Sequence, residues 1–118
     1  MIGHAIGAFT VATHGMTLSG VSEAYYRHIM KYGLKRFARF AKVVWEIPAE
    51  GKTDEQLASE GIDALAAWIK EIGAPSEITS LGVKPDMLDG IADATIILDS
   101  GYETLTHDEI VGILRASL

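Results

Sequence analysis

The sequence predicts an all-α fold, a bundle of helices that forms one domain. Three observations favour it: apolar residues recur at helical spacing, two capping boxes mark helix starts, and no segment has the alternating pattern of a strand. A length of 118 residues suits one domain with a buried core. With 48% hydrophobic and 22% charged residues, the composition is that of a globular chain.

The first half of the chain predicts three helices. The apolar stretch 2–10 is typical of the last part of a helix. Thr13 suits the N-cap of a long second helix over 14–32, and Gly33 suits its C-terminal stop. The stretch "LKRFARFAKVVWEI" predicts an amphipathic third helix, since its apolar and basic residues fall on different faces. The apolar stripe holds Phe37, Phe40, Ala41 and Val44, and the basic positions are Lys35, Arg39 and Lys42.

The second half predicts three further helices, each with its own start signal. Thr53 and Gln56 of "TDEQ" form a capping box, and the helix that follows stops at Gly73. Pro85 suits the first position of the next helix, and "THDE" is a second capping box before the last one. The inward positions of the two capped helices are Leu57, Ile62, Leu65, Ala66 and Ile69, and Ile110, Ile113 and Leu114.

Charge and composition exclude several classes of partner. The net charge is −6, but residues 1–52 carry +4 and residues 53–118 carry −10. Such an acidic chain is not expected to bind nucleic acid. It has no apolar run of membrane-spanning length and no signal-peptide pattern, so no membrane partner is expected. With no cysteine for a disulfide, the expected location is cytoplasmic.

A basic, aromatic stretch is the main argument against excluding nucleic acid as a partner. "KYGLKRFARFAK" interleaves the two residue types, which would suit nucleic acid or an anionic surface. Helical phase separates most of its charges from its aromatic residues, as expected for a helix that packs on a core. We therefore interpret the stretch as a core-facing helix.

Two histidines at the start of the chain are the candidate chemical residues. His4 and His14 are ten residues apart, which on one unbroken helix means about 15 Å of rise and about 80° of rotation. They can face one cleft only if the helix stops between them, where β-branched residues and Gly15 permit a turn. From the residues alone, structural roles remain the alternative, and we expect His28 and His107 to be structural or solvent-exposed.

The order of several motifs resembles the helical C-terminal domain of the iron-containing alcohol dehydrogenases. "GHAIGAFTVATHG" is similar to the metal-binding signature of that family. The segments "HGMTLSGVSEAYYRHIMKY", "EIGAPSEITSLGVKPDMLDGIADATI" and "LTHDEIVGILRASL" follow in the family's order, so the resemblance covers nearly all of the chain. "MIGH" and "RFARFAKVVWEI" are most similar to the butanol dehydrogenase branch.

The resemblance implies an oxidoreductase that interconverts small alcohols and aldehydes, with Fe²⁺ or Zn²⁺ and NAD(P) as cofactors. His14 would be a metal ligand. His4 would be a catalytic histidine beside the metal and the nicotinamide, active in proton transfer or substrate orientation. The resemblance implies no residue of this chain that binds the dinucleotide cofactor.

The same resemblance implies that residues 1–118 are a C-terminal metal-site domain. The family's other metal ligands and its nucleotide-binding domain would precede Met1, together with the start of the first helix. We therefore expect an N-terminally truncated chain that binds no cofactor tightly and is inactive alone, with the nucleotide-binding domain as its missing partner. Ile2, Ile6 and Phe9, which would face the missing domain, are then expected to be exposed, to pack against a second copy in a homo-oligomer, or to fray. The alternative is a non-catalytic helical module for self-association or interaction.

Overall fold

A computed structural model describes residues 1–99 and 101–118. Its described part is all-helical and without strands, which confirms the predicted fold class. Six α-helices are joined by short connections: α1 (Ile2–Phe9), α2 (His14–Ile29), α3 (Leu34–Val44), α4 (Asp54–Glu71), α5 (Leu88–Ala94) and α6 (His107–Ala116). Three single 3₁₀ turns lie at Met30–Tyr32, Thr79–Leu81 and Pro85–Met87. No described helix combines the length and apolar character that crossing a bilayer would need.

The main hydrophobic core is formed by α1, α2, α5 and α6 together with the segment before α5. Ile6, Ile91, Ile110 and Leu114 are almost completely buried there. Ile78 lies in the same cluster and its N–H donates to the Ser117 carbonyl at 2.8 Å, which fixes the end of α6. This core holds α1 in place, and α1 carries the first candidate histidine.

A second, smaller core lies where α3 packs against α4. Ala38, Ala41 and Leu57 are buried in it. The two helices approach closely at Gly61, where an added Cβ would lie 2.9 Å from the Cβ of Ala41. Small residues at this crossing therefore set the distance between the helices.

The predicted helix starts and stops are largely confirmed. Both capping boxes form: the N–H of Gln56 donates to Thr53 Oγ1 at 3.2 Å, and the N–H of Glu109 donates to Thr106 Oγ1 at 3.2 Å. Gly73 follows α4 in the left-handed conformation, with φ of 76°, as a glycine stop requires. Pro85 begins a 3₁₀ turn rather than the α-helix itself, which starts at Leu88.

The prediction that Val44 faces inward is wrong. Its side chain is 57% exposed, because α3 ends there and the chain turns at Glu46, whose φ is 55°. Ile47 then folds back, donates its N–H to the Ala41 carbonyl at 3.1 Å and packs on the small core in place of Val44.

The expectation that Ile2 and Ile6 are exposed is also wrong. Ile2 is 7% exposed and Ile6 is fully buried, because α1 packs into the main core between α2 and α5. Only Phe9, at 42% exposure, agrees with the expectation. The apolar side chains of Ile2 and Ile6 are thus buried by this chain's own helices.

Candidate functional site

The helix that carries His4 stops before His14, as a shared cleft requires. Thr10 leaves the helix with φ of −136° and ψ of 172°. Its hydroxyl donates to the Ile6 carbonyl at 3.0 Å and accepts from the N–H of Ala12 at 3.3 Å. The first bond satisfies a carbonyl at the end of α1, and the second satisfies an N–H of the turn that follows. The chain then turns within four residues and begins α2.

Thr13 lies at the predicted N-cap of α2, but it caps only through its backbone. Its conformation is extended, and its carbonyl accepts from the N–H of Thr17 at 3.1 Å. Its side chain makes no capping hydrogen bond with the described residues. The start of α2 is instead secured by Thr17, a buried residue whose hydroxyl donates to the His14 carbonyl at 2.8 Å.

The turn brings the two candidate histidines together. The rings of His4 and His14 stack with their centroids 4.6 Å apart and their planes 25° apart. Both residues are exposed, His4 on α1 and His14 as the first residue of α2. On one continuous helix the two rings would be far apart. Because the chain turns between α1 and α2, they are in contact instead.

A close crossing of α1 and α2 holds this pair. At Gly3, an added Cβ would lie 3.0 Å from Leu18 Cδ2 and 3.2 Å from Thr17 Oγ1. Thr17 is the residue whose hydroxyl bonds the His14 carbonyl, so the crossing is linked directly to the position of His14. Glycine lets α1 approach α2 closely enough for the rings to touch.

The stacked geometry suits one metal ligand with a neighbouring imidazole better than two ligands of one ion. An imidazole nitrogen binds a metal along a direction in the plane of its ring. Two nearly parallel rings 4.6 Å apart do not direct their nitrogens at a common point. Among the described residues, neither histidine belongs to a group of three metal-binding side chains.

Exposed apolar side chains occur in α1, the turn and the first part of α2, close in sequence to the pair. Phe9, Met16 and Leu18 are roughly half exposed, and Val11, in the turn itself, is completely exposed. We call these four residues the apolar rim. On the α2 side, Leu18 also lines a cavity of about 580 Å³ between α2, α3 and α4. The segments that carry the two histidines thus also expose apolar side chains to solvent.

His107 lies apart from this pair and meets acidic side chains. Its Nε2 is 2.8 Å from Asp93 on α5, and its Nδ1 is 3.6 Å from Asp108. Desolvation would lower the pKa of His107, but the hydrogen bond with Asp108 and the charge of Asp93 raise it above the ordinary value. The prediction of a structural or solvent-exposed role for His107 agrees with this placement.

His28 has a richer environment than the sequence predicted. It is one-quarter exposed, and its Nε2 lies 2.7 Å from Glu109 and 3.1 Å from Glu103. The partners follow it by 75 and 81 positions, so no local spacing in the sequence reveals the group.

Comparison with known proteins identifies the class to which this chain and its fold belong. The model of the Fe-containing alcohol dehydrogenase family, C-terminal part, matches residues 1–118. The chain therefore belongs to this family of dehydrogenases, and it corresponds to their helical C-terminal part.

Two relatives come from Bacillus subtilis (strain 168). The chain is 31% identical over 119 residues to probable NADH-dependent butanol dehydrogenase 1, and 32% identical over 120 residues to probable NADH-dependent butanol dehydrogenase 2. The matches cover 99% and 98% of this chain but 31% of each relative. The chain thus spans about a third of the length of the curated relatives it matches.

Solved structures agree on the fold. A 1,3-propanediol oxidoreductase superposes with a TM-score of 0.91 at 21% identity, and the alcohol dehydrogenase from Oenococcus oeni with 0.88 at 22%. NADH-dependent butanol dehydrogenase A from Thermotoga maritima gives 0.84 at 26% identity. Each match covers at least 98% of this chain and 31% of the solved chain.

Proposed function

We propose that residues 1–118 are the metal-site domain of a dehydrogenase that interconverts alcohols and aldehydes with NAD(P) as the hydride carrier. The observation that carries this proposal is the stacked pair of His4 and His14, exposed at the meeting point of two helices. Membership of the Fe-containing alcohol dehydrogenase family supports it, as do relatives whose names specify NADH and butanol.

His14 is the proposed metal ligand. It is exposed at the first position of α2, and Thr17 fixes its backbone, so its imidazole is presented from a defined point. Histidine is a common ligand for both iron and zinc. In such a site the metal ion would polarise the substrate oxygen, while the nicotinamide would carry the hydride.

His4 is the proposed catalytic histidine. Its ring lies against that of His14 without the orientation that a second ligand would need. Imidazole exchanges protons near neutral pH, which suits a group that moves a proton to or from the alcohol oxygen or orients the substrate. Its neighbours Ala5 and Ile6 are buried in the main core, so α1 gives the ring a rigid support.

A separate nucleotide-binding domain is the proposed partner. Within the described residues His14 stands outside any group of three metal-binding side chains, so further ligands must come from elsewhere. The dinucleotide site is proposed to lie in that domain too. The apolar rim of Phe9, Val11, Met16 and Leu18 offers a surface that such a domain can cover. By itself the chain is expected to be inactive.

A chimera tests this proposal. The matching C-terminal third of Bacillus subtilis probable NADH-dependent butanol dehydrogenase 1 is replaced by this chain, and oxidation of NADH by butanal is measured. We expect activity in the chimera and its loss, by about a hundredfold or more, in His14→Ala and His4→Ala versions. His107→Ala is the matched control, since His107 contacts Asp93 and Asp108 and not the histidine pair. Equal activity in all three variants would refute the assignment.

A further inference from the structure

Three metal-binding side chains from three separate segments meet at His28. His28 is near the end of α2, Glu103 lies in the segment before α6, and Glu109 is in the first turn of α6. Each offers one ligand atom, and these atoms all lie within 4.8 Å of one another. Their side chains are 25%, 14% and 28% exposed, so the group is mostly enclosed but reachable from solvent.

The two carboxylate oxygens of Glu109 make different contacts. Oε1 accepts from the N–H of Thr106 at 3.2 Å, which completes the capping box of α6. Oε2 faces His28 Nε2 at 2.7 Å. The capping bond fixes the carboxylate of Glu109. Its second oxygen could therefore bind a cation without a further loss of side-chain entropy.

The two oxygens of Glu103 lie in different surroundings. Its Oε1 accepts from the Tyr32 hydroxyl at 3.1 Å. Its Oε2 is buried and receives no hydrogen bond from the described residues, although His28 Nε2 is only 3.1 Å away. An imidazole nitrogen carries one hydrogen at most, so His28 Nε2 cannot donate to Glu103 and Glu109 at the same time. The two carboxylates and the imidazole therefore need a proton or a cation between them, and a bound cation would satisfy both carboxylates at once.

We propose that His28, Glu103 and Glu109 bind a divalent transition-metal ion at a site independent of His4 and His14. An imidazole with two carboxylates suits Zn²⁺, Mn²⁺ or Fe²⁺, whereas Mg²⁺ prefers oxygen ligands alone. Ligand atoms about 2.1 Å from a tetrahedral ion lie about 3.4 Å apart. The contacts of His28 Nε2, at 2.7 Å and 3.1 Å, lie just below that spacing, and the two carboxylate ligand atoms lie within 4.8 Å of each other. Water would fill the remaining coordination position.

Such an ion would connect parts of the fold that are distant in sequence. It would join α2 and the start of α6 to the segment that carries Glu103. Glu103 also lines a cavity of about 310 Å³, beside Tyr25, Leu105 and Ile110. Metal binding is therefore expected to stabilise the fold as well as to occupy a site.

Calorimetric titration of the 118-residue chain with Zn²⁺ tests the site. We expect one saturable ion per chain in the wild type and in a His4→Ala/His14→Ala variant. Affinity should fall by about tenfold or more in His28→Ala, Glu103→Gln and Glu109→Gln. Glu109→Gln keeps the capping box, because Gln56 completes the equivalent box of α4, so it separates loss of a ligand from loss of the helix start.

Thermal unfolding provides the second measurement. Zn²⁺ should raise the midpoint of the wild-type chain and leave Glu103→Gln/Glu109→Gln unchanged, while Mg²⁺ should have no effect on either. Unchanged affinity in the double variant would overturn the proposal. So would loss of binding in His4→Ala/His14→Ala, which would locate the ion at the stacked pair, or absence of saturable Zn²⁺ binding, which would leave only a proton between the carboxylates.

Discussion

The imidazole rings of His4 and His14 are in stacking contact, with their centroids 4.6 Å apart, across the turn that separates α1 from α2. The contact depends on the crossing of the two helices at Gly3, where any Cβ would meet Leu18 and Thr17. The position of His14 is thus coupled to the packing of Gly3 against Thr17, one helical turn further along α2.

Substitution of Gly3 should separate the two rings. In Gly3→Val, the new side chain would overlap Leu18 and the Thr17 hydroxyl, and α1 would move away from α2. The cross-ring nuclear Overhauser contacts between His4 and His14 should disappear. Gly7→Val is the matched control, since no described heavy atom lies within 4 Å of a Cβ at Gly7. Loss of the contacts in both variants would contradict the role given to the crossing.

The α3–α4 crossing predicts opposite effects for two glycine substitutions. Gly61→Ala should destabilise the chain by about 1 kcal/mol, because overpacking against Ala41 exceeds the gain in helix propensity. Gly112→Ala, on α6 with open space around its Cβ, should stabilise it by about 0.5 to 1 kcal/mol. Urea unfolding measures both changes. Stabilisation by Gly61→Ala would show that the helices can move apart without loss.

Capping predicts a difference between two threonines in equivalent positions. Thr53→Ala should lower the free energy of unfolding by about 1 kcal/mol, since the Thr53 hydroxyl accepts from the N–H of Gln56. Thr13→Ala should change it by less than about half as much, because the Thr13 side chain makes no capping bond. Urea unfolding of both variants is again the measurement, and equal losses would be inconsistent with this difference.

The contact of His107 with Asp93 predicts a dependence of stability on pH. The acidic groups that face His107 are Asp89, Asp93 and Asp108, and together they raise its pKa in the folded chain. Between the unfolded and folded pKa values the folded state binds more protons, so this stabilisation is complete below about pH 6.5 and is lost as pH rises through the folded value. His107→Gln should remove this part of the dependence. An unchanged profile of unfolding midpoint against pH would contradict it.

The apolar rim predicts weak self-association of the chain alone. Val11 and Leu18 are exposed beside the histidines, although Ile2 and Ile6, first expected to mediate such contacts, are buried. Sedimentation velocity should detect larger species as concentration rises in the wild type, and Val11→Asp should suppress them. A wild-type profile that stays monomeric over the whole concentration series would contradict self-association through this surface.

The sequence predicted the fold where its signals were local. The capping boxes at Thr53 and Thr106 fixed two helix starts, and Gly73 fixed a stop, since each depends only on neighbouring residues. The inward face of α3 was wrong at Val44 because the turn at Glu46, and not the helical period, decides what covers Ala41.

The candidate sites show the same division. The sequence predicted that His4 and His14 can share a cleft only if the helix stops between them, and its β-branched residues and glycine permit such a turn. The stacking of the rings, however, depends on the helix crossing. The group around His28 was missed, since Glu103 and Glu109 reach it only through packing of α6 against α2. Long-range assembly of this kind leaves no periodic signal in the chain.

The iron content of the chimera with the Bacillus subtilis relative is the most direct test of the proposed metal role of His14. Purified without oxygen, the chimera should hold one tightly bound Fe²⁺ per chain at the proposed site, which His14→Ala removes and His28→Ala leaves in place. The His4→Ala chimera should keep the ion while losing activity. If a His14→Ala/His28→Ala chimera, which lacks the separate His28 site as well, retains its iron, His14 is not the metal ligand, and the proposed function of the stacked pair fails.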